Sequence, residues 1–394
     1  MKNILFVCDF NSVHSRSLIT AIKDNNDFNL TILSSSSAKE MDGVNLIILN
    51  NDNQISKKKV EIIANLIQTI SPKLYRYIIS FVLARQTKRL IEKAEKITFK
   101  EKFDMIHALR TQPEGIIANA LVKKLKAKFY LTIWGQDFVL WAKHNSWLKQ
   151  QTLKTIESTF YVFPDNLRDN RIIKEDYGFK HQKTLVLPAT GGLDLDYLNN
   201  LELTELPDIK GELNFLSVRG YDNSYVKIKK LLHVFKRISK DYPTAHFYID
   251  VHQKHNKVKD KKMHDWIKKE KLESQVTILH LTRQELFGYM SKCKFHVSAT
   301  RTDGFPLSLL EGVYFGQTPI VFNHESTRVL ENEFEYYYSF NSFKIEEIEN
   351  AWRKAISESR VKQADIKITN QIKIVEKYER NKNITKIVEK YYHE

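Results

Sequence analysis

An alternation of short apolar runs with longer amphipathic segments extends through most of the chain, and it constrains the fold more than any other feature. In the first half, apolar runs of strand length stand at 3–8, 29–34, 44–49, 104–107, 128–133, 159–163 and 184–187. Helices are predicted between them at 14–22, at 58–96 with a break near Ser71 and Pro72, and at 114–126. Apolar strands separated by helices are typical of a parallel sheet covered on both faces.

The same alternation restarts after a polar stretch, which indicates a second domain. Residues 196–212 are polar and contain Pro207 and Gly211, so we interpret them as an inter-domain linker. Beyond them, strands are predicted at 213–218, 245–251, 276–279, 294–298 and 318–322, and helices at 226–240, 260–271, 283–291, 306–315, 344–359 and 366–392. We therefore predict an α/β protein with two Rossmann-like domains that face each other across a cleft, and ligands are expected at the carboxyl ends of the strands.

The charge of the chain is strongly positive. It has 62 Lys and Arg against 47 Asp and Glu, a net charge of +15. Such an excess favours polyanionic partners, whether nucleic acid, an anionic lipid surface or a phosphorylated substrate; a basic surface without a specific partner is the alternative. The sequence has no helix-turn-helix, zinc-finger or RNA-motif signature, so we expect no nucleic-acid partner.

Cysteine usage and hydropathy both favour a cytoplasmic protein. The two cysteines, Cys8 and Cys293, stand in apolar runs of strand length and are predicted to be core thiols. The apolar run at the N-terminus is too short for a signal peptide. No apolar stretch approaches the roughly 18 residues that are needed to span a bilayer.

The segment SATRTDGFPLSLLEGVYFGQTPIVF, at 298–322, contains the most informative cluster of residues. It is predicted as strand, loop, helix, loop and strand, with Asp303 in the first loop and Pro306 in the first helical turn, where no N–H donor is needed. Free backbone N–H groups and the helix dipole would form an anion site at Leu307, Ser308 and Leu309. With Glu311 one turn further on, the segment is suited to bind the sugar, the diphosphate and the ribose of a sugar nucleotide.

This segment resembles the E-x7-E motif of glycosyltransferase family 4, a large retaining family with the GT-B fold. The first acid of the motif is Asp303 here, the second is Glu311, and FGQTPIVF is similar to the family's G-x-P-hydrophobic strand. The resemblance implies that Asp303 contacts the transferred sugar and Glu311 the ribose. The donor-binding residues that it implies here are Gly304, Phe305, Pro306, Leu307, Ser308 and Glu311. The alternative is a capped helix that packs two domains together, with both acids solvated.

The resemblance also carries an expected domain organisation. It implies an N-terminal acceptor domain at 1–200 and a C-terminal nucleotide-sugar domain at 201–365. The remaining residues, 366–394, are expected to form a C-terminal helix that packs back on the N-terminal domain.

Two cations follow the first strand of the second half. Arg219 stands at the carboxyl end of that strand, and Lys227 precedes an apolar helix. This is similar to the family's strand-G-R…K-G pattern, in which both cations neutralise the donor diphosphate and stabilise the leaving group. The glycine follows Arg219 here instead of preceding it, and Ile228 replaces the glycine after the lysine. The alternative is that Lys227 belongs to a Lys-rich helix face.

The loop HLTRQEL, at 280–286, follows a strand and precedes a helix. In the resembling family this loop flanks the nucleobase, which suggests contacts from Leu281 and Thr282. A second interpretation, compatible with the first, is a capping box made by Thr282 and Glu285. No D-x-D-type acid pair stands in a convincing place, so we expect chemistry without a metal or a cofactor, with the nucleotide sugar as substrate.

The predicted acceptor residues lie in the first half. YLTIWGQDF, at 130–138, is similar to the family's His-Gly-x-Asp turn, with Trp134 in place of the histidine and Asp137 matching the acid. We assign Asp137 a binding or catalytic role; a turn-forming aspartate beside aromatic residues is the alternative.

Further acceptor contacts are expected from the loops after two other strands. FDMIHALRTQPEG, at 103–115, resembles the family's D-x-x-H element, so His107 should end a strand and face the cleft, unless it is structural. Arg110 is suited to an acidic or phosphorylated acceptor. In the first loop, Asn11, His14 and Arg16 replace the Gly-rich turn of many relatives, which suggests a polar acceptor pocket.

Residues 71–100 combine aromatic and aliphatic side chains with eight Lys or Arg and two Glu. A basic helix with Tyr75, Tyr77 and Phe81 is suited to lie on an anionic lipid leaflet. Many bacterial members of the resembling family use lipid-linked acceptors at the cytoplasmic membrane. The alternative is a surface helix with an ordinary apolar core face.

Together these features predict transfer of a hexose or N-acetylhexosamine from a UDP-sugar to a hydroxyl of a glycan or glycolipid, with retention implied by the resemblance alone. Bacterial cell-surface polysaccharide synthesis is the expected setting, in the cytoplasm or at the inner face of its membrane. Three alternatives remain open: a nucleotide-sugar epimerase, a glycosyl phosphorylase, and a non-catalytic subunit that binds glycan or a partner transferase.

Overall fold

The structure is a computed structural model that describes the chain except residues 25–26, 51–70, 136, 180–182, 204–207, 221–224, 252–256, 360–362 and 394. The helix predicted over 58–70 and part of the predicted linker lie outside the described residues. The chain divides into two compact units: unit 1 is Met1–Gly192 with Arg380–Glu394, and unit 2 is Leu193–Glu379. Unit 2 therefore begins at Leu193 rather than at 201, and it contains the stretch 196–212 that was expected to link two domains.

Unit 1 is built on a six-stranded parallel sheet. Its strands are β1 (Lys2–Cys8), β2 (Phe28–Ser34), β3 (Asn45–Ile48), β4 (Met105–Leu109), β5 (Lys128–Ile133) and β6 (Tyr161–Pro164). The order in the sheet is β3-β2-β1-β4-β5-β6, so the strand order reverses between β1 and β4. The central strands are apolar along most of their length because helices cover both faces of the sheet.

Helices of unit 1 connect these strands. They are α1 (Val13–Asp24), α2 (Pro72–Glu95), α3 (Ile116–Leu125), α4 (Ser146–Ser158) and α5 (Leu167–Glu175). A wide π-type turn at Thr111–Gly115 precedes α3, and a second one follows β5 at Asp137–Trp141. Both turns follow the carboxyl ends of strands, and the first of them follows β4, one of the two strands between which the order reverses.

Unit 2 has a second six-stranded parallel sheet. Its strands are β7 (Asn214–Ser217), β8 (His246–Asp250), β9 (Val276–Leu279), β10 (Phe295–Ser298), β11 (Thr318–Phe322) and β12 (Tyr338–Phe340). The order is β12-β11-β10-β7-β8-β9, with the reversal between β7 and β10. Phe215 of β7 stacks between Phe295 at 4.8 Å and the fully buried Trp352 at 4.5 Å between ring centroids, which forms the centre of the core.

Eight helices are described in unit 2. They are α6 (Leu195–Asn199), α7 (Ile228–Asp241), α8 (Lys257–Lys269), α9 (Arg283–Lys292), α10 (Leu307–Tyr314), α11 (Glu325–Glu331), α12 (Ile345–Ser359) and α13 (Gln363–Lys377). In the part of the chain that the structure describes, no helix combines the length and the apolar character that crossing a bilayer requires.

The C-terminal segment differs from the single helix predicted over 366–392. It is two helices, α13 in unit 2 and α14 (Arg380–His393) in unit 1. In α14, Tyr391 is fully buried against the first sheet, and the Lys2 Nζ donates to its carbonyl oxygen at 2.6 Å. The last helix thus completes the core of unit 1.

The strand predicted at 184–187 is wrong. That segment forms only an isolated bridge between Val162 and Thr184. The amides of Leu185 and Leu187 donate to β6 carbonyls at 3.1 Å, so the segment runs beside the sheet edge without becoming a strand. Its apolar side chains pack on the core, which accounts for the strand-like pattern.

Candidate functional site

A salt bridge lies at the carboxyl ends of β7 and β10, where the strand order of unit 2 reverses. The Arg219 Nη2 lies 2.5 Å from the Asp303 Oδ2, and the two side chains are 30% and 17% exposed. In open α/β sheets such a reversal creates the crevice in which ligands bind. Arg219 and Asp303, which the sequence analysis predicted to bind the phosphates and the sugar, therefore lie next to each other.

Lys227 is brought to the same loops by backbone pairing. Its amide donates to the Ala299 carbonyl at 3.0 Å, and the Arg301 amide donates to the Tyr225 carbonyl at 2.6 Å. The segment before α7 thus runs alongside the loop that leads to Asp303.

The glycine after Arg219 is required by close packing against β8. A Cβ at Gly220 would lie 2.6 Å from the Ile249 side chain and 2.8 Å from the Asp250 carbonyl oxygen. The Gly220 amide donates to that same oxygen at 2.8 Å. The position of the glycine, which differs from the family pattern, is therefore explained by how this loop crosses the neighbouring strand.

The beginning of α10 corrects one expectation. The helix starts at Leu307, and Pro306 is its N-cap residue. The Leu307 amide donates to Phe305 at 2.9 Å, and the Leu309 amide donates to Pro306 at 3.0 Å. Of the three amides that were expected to be free, Ser308 alone has no hydrogen-bond partner among the described residues, so the predicted anion site is narrower than three amides.

A cavity opens beside the Arg219–Asp303 pair. It is lined by Arg219, His296, Ser298, Thr300, Asp303, Pro306, Ser308, His324 and Thr327, together with Val218, Leu309, Val321 and Phe322. The sequence arguments did not single out His296, Ser298, Thr300, His324 or Thr327. Burial lowers the pKa of His296 to about 4, so its ring is uncharged near neutral pH. Gly304 and Phe305 lie on the adjoining loop, and Phe305 packs on Tyr378 with ring centroids 5.2 Å apart.

Glu311 is almost completely buried and forms an ion pair with Arg283. The Glu311 side chain is 3% exposed, against 55% for Arg283, and the Arg283 Nη2 bonds to the Glu311 Oε1. Burial raises the pKa of Glu311, and Arg283 acts in the opposite direction. The Glu311 Oε2 is buried without a partner among the described residues. Arg283, which the sequence analysis did not single out, is therefore part of this constellation.

Two backbone amides of the loop before α9 are already hydrogen-bonded to side-chain carboxylates. The Leu281 amide donates to the Asp250 Oδ1 at 3.1 Å, and the Thr282 amide donates to the Glu285 Oε2 at 2.6 Å. Thr282 and Glu285 form the predicted capping box at the start of α9.

In unit 1, Arg110 is fixed by a buried carboxylate. Its Nε and Nη2 donate to the Glu114 Oε2 and Oε1 at 2.9 and 2.8 Å. Glu114 is fully buried and also accepts a hydrogen bond from Ser35 at 2.6 Å. Burial by itself would lower the pKa of Arg110, but the Glu114 carboxylate more than offsets it and holds that pKa above its usual range.

Two of the predicted acceptor-side residues, His14 and Arg110, contact the indole of Trp134. The His14 ring lies edge-on to Trp134 at 5.7 Å, and the Arg110 guanidinium lies over the indole, also at 5.7 Å. Asn11 is exposed in the turn between β1 and α1. Arg16 differs, because its guanidinium donates to the Lys39 and Glu40 carbonyls and lies over Phe10.

The prediction that His107 ends a strand and faces a cleft is wrong. β4 continues to Leu109, so His107 is a mid-strand residue with no exposed surface. Its Nε2 lies 2.8 Å from the Thr132 Oγ1, and its Nδ1 hydrogen-bonds to the Tyr391 hydroxyl. Burial lowers its pKa to about 3, so His107 is a neutral core residue beneath α14.

Asp137 is enclosed, which corrects the expectation of direct contact with a substrate. Its side chain is 1% exposed, and its Oδ2 accepts hydrogen bonds from the Thr111 and Trp134 amides at 2.6 and 3.4 Å. Asp137 therefore joins the loops after β4 and β5. The structural alternative, a turn-forming aspartate beside an aromatic ring, describes these contacts.

Asp137 should make the stability of the protein depend on pH. Burial raises its pKa from 3.8 to about 7, so the folded state holds this proton more tightly than the unfolded state does. Stability is therefore expected to fall as pH rises from about 4 to 7, because each unit of pKa difference corresponds to about 1.4 kcal/mol. Thermal unfolding of the wild type and of Asp137→Asn across this pH range tests the expectation. The decrease in the free energy of unfolding between about pH 4 and 7 should be at least about 1 kcal/mol smaller in the variant, because one pKa unit corresponds to roughly that energy. Parallel pH profiles would contradict the assignment.

Two Rossmann-like units, each with six parallel strands and a strand-order reversal, define the class of fold: this is the GT-B fold, as the sequence predicted. In the described residues, no group of three or more His, Cys, Asp or Glu is placed to hold a metal ion.

Comparisons with known proteins agree with this fold. Residues 207–373, all within unit 2, match the family model of group 1 glycosyl transferases. Sucrose-phosphate synthase from Thermosynechococcus elongatus is similar over 100% of this chain and 99% of its own, with a TM-score of 0.75 and 12% identity. A glycosyltransferase from Rickettsia africae covers 100% and 98%, with a TM-score of 0.71 and 16% identity.

A third similar structure is HepE from Anabaena in complex with UDP and glucose. It covers 100% of this chain and 99% of its own, with a TM-score of 0.68 and 11% identity. At such identities the likeness establishes the fold. A comparison with curated proteins finds no match.

Proposed function

We propose that this protein is a retaining, metal-independent glycosyltransferase. It would transfer a hexose or N-acetylhexosamine from a UDP-sugar to a hydroxyl of a glycan or glycolipid acceptor, as in bacterial cell-surface polysaccharide synthesis. The family match of unit 2 and the GT-B fold support the transferase class, and the UDP and glucose held by HepE support the donor. Retention and the family 4 assignment follow from the E-x7-E resemblance of Asp303 and Glu311.

One observation carries the proposal: Arg219 and Asp303 pair at the switch point of unit 2. A diphosphate that enters the crevice offers Arg219 a more highly charged partner than a single carboxylate. Arg219 would then bind the phosphate oxygens and stabilise the charge that develops on the departing UDP. Asp303, released from the pair, would accept hydrogen bonds from the hydroxyls of the sugar.

The neighbouring residues suit the remaining parts of the donor. Lys227, held beside the loop before Asp303, would add a second cation for the diphosphate, and the Ser308 amide would donate to a phosphate oxygen. Glu311, oriented by Arg283, would accept from the ribose. Backbone atoms of Leu281 and Thr282 would flank the base.

Unit 1 offers a polar surface for the acceptor around Trp134, with His14 and Arg110 in contact with the indole and Asn11 exposed on the loop after β1. An indole beside charged and hydrogen-bonding groups is suited to a sugar ring, which has apolar faces and polar edges. The proposal places the protein in the cytoplasm or at the inner face of the cytoplasmic membrane.

The test is release of UDP from a panel of UDP-sugars, with and without glycan acceptors, in the presence of EDTA. We expect release that depends on an acceptor and that survives the chelator. Interconversion of the sugar without UDP release would indicate an epimerase. A chain that binds UDP but turns over no donor would be a binding subunit, and loss of all turnover in EDTA would contradict metal independence.

A further inference from the structure

The positive charge of the chain is concentrated in unit 1. This unit has 33 Lys and Arg against 20 Asp and Glu, a net charge of +13. Unit 2 has 29 against 27, a net charge of only +2. A property of the composition as a whole would be shared by both units, so the excess calls for an explanation that is specific to unit 1.

Helix α2 of unit 1 has an apolar stripe on its outer face. Leu74, Tyr77, Ile78 and Phe81 are 52%, 51%, 37% and 65% exposed. Their spacing of three and four residues places them on one side of the helix. The opposite side is buried in the unit, with Ser80 and Thr87 fully enclosed and Ala84, Leu90 and Ala94 at most 8% exposed. The stripe is therefore an outer face and not a core face.

The same face becomes basic further along the helix. Arg85, Lys88 and Arg89 follow Phe81 at the same spacing and are exposed. The Lys88 Nζ lies 4.9 Å from the centre of the Trp147 ring, which leaves the ammonium at the surface. One helix face thus combines about two turns of exposed apolar side chains with a little more than one turn of cations.

We propose that this outer face of α2 docks on an anionic lipid bilayer. The apolar side chains would enter the boundary between headgroups and acyl chains, and the cations would bind the lipid phosphates, as in amphipathic helices that lie in a membrane surface. Aliphatic Leu74 and Ile78 give a nucleic acid neither a hydrogen bond nor a stacking surface. A second copy of unit 1 would bring two strongly positive surfaces together. This docking does not depend on catalysis, so it goes beyond the proposed transferase activity.

Sedimentation with vesicles tests the proposal, using pure phosphatidylcholine and a mixture with 30% phosphatidylglycerol, without any donor. The wild type should bind the anionic vesicles and not the neutral ones. Replacing Ile78 and Phe81 with serine should weaken the binding at least about tenfold, because both side chains lose their burial in the bilayer. Replacing Arg85 and Arg89 with glutamine should weaken it roughly fivefold for each cation lost, and high salt should remove that difference.

Matched controls come from unit 2. Ile368 and Ile372 on α13 are 59% and 54% exposed, so their double serine variant removes similar apolar surface elsewhere. Lys261 and Lys262 on α8 are exposed, and their double glutamine variant removes the same charge. Both controls should bind vesicles as the wild type does, and all variants should keep the wild-type melting temperature.

Three results would overturn the docking surface. They are no binding to anionic vesicles, an equal loss in the unit 2 controls, and binding of RNA or DNA by the wild type that the α2 variants lose while vesicle binding is unchanged. If the protein binds anionic vesicles but turns over no UDP-sugar, the transferase proposal is contradicted and the docking proposal stands.

Discussion

Replacing Arg219 with alanine is expected to lower kcat with a UDP-sugar by roughly 10²- to 10³-fold, the effect of removing one group that stabilises a developing negative charge. Arg219 lies against Asp303 at the switch point of unit 2, which is where we propose that the diphosphate binds. The measurement is acceptor-dependent UDP release under saturating donor. Arg219→Lys should recover part of the rate, because a point charge replaces part of the guanidinium's role.

A matched control is Arg301, which lies on the same loop as Asp303. Its guanidinium lies 5.5 Å from the centre of the Phe343 ring. Arg301 is not among the residues that line the cavity. Arg301→Ala should change kcat by less than about threefold, as expected of a residue that contributes no charge to the transition state. If Arg219→Ala keeps a rate similar to that of Arg301→Ala, Arg219 is not the leaving-group cation.

Replacing Arg110 with alanine is expected to lower the free energy of unfolding of unit 1 by about 3 kcal/mol. The substitution leaves the fully buried Glu114 carboxylate without its cation, and breaking a buried pair in this way typically costs about 3 to 5 kcal/mol. The remaining hydrogen bond from Ser35 places the expected value at the lower end of that range. The measurement is urea denaturation followed by tryptophan fluorescence, to which Trp134, Trp141 and Trp147 contribute from unit 1 and Trp266 and Trp352 from unit 2.

Two variants separate charge burial from other causes. The double variant Arg110→Ala with Glu114→Gln should recover much of the loss, because no buried charge is left without a partner. Arg171 and Glu175 form a pair with the same spacing, but their side chains are 47% and 60% exposed. Arg171→Ala should therefore cost less than about 1 kcal/mol. An equal loss for Arg110→Ala and Arg171→Ala would show that burial of Glu114 does not matter.

The sheets could be predicted from the sequence because buried parallel strands are continuous apolar runs. The strands at 128–133, 276–279 and 318–322 were predicted at the bounds that the structure has. The same argument wrongly predicted a strand at 184–187. A segment that packs beside a sheet edge and a strand that pairs within a sheet both need apolar side chains, so the apolar pattern does not distinguish them. The sequence between α13 and α14 contains no glycine or proline, so nothing in it marks the break between the two helices.

The proximity of Arg219 and Asp303 could be predicted because each lies in a loop that follows a strand, and parallel strands bring their carboxyl ends to one edge. Arg219 and Asp303 are 84 positions apart but meet for this reason. The prediction for His107 was wrong because this argument requires the last residue of the strand to be known to within a residue or two. β4 extends further than its apolar pattern suggests, to Leu109. The helix that encloses His107 lies at the other end of the chain, beyond the reach of local pattern.

Arg283 and Glu114 show a second limit. The sequence analysis assigned a role to neither residue, and each acquires its role from an ion pair formed by folding. A carboxylate in a helical segment is most often solvated, so only the structure distinguishes the buried Glu114 from the exposed Glu175.

Calorimetric titration of the wild-type protein with UDP and with uridine tests the central claim, that the crevice beside Arg219 and Asp303 holds a nucleoside diphosphate. UDP should bind at least about a hundredfold more tightly than uridine, because hydrogen bonds from charged groups to the phosphates contribute most of the difference. Equal affinities for UDP and uridine, or no binding of either, would contradict it.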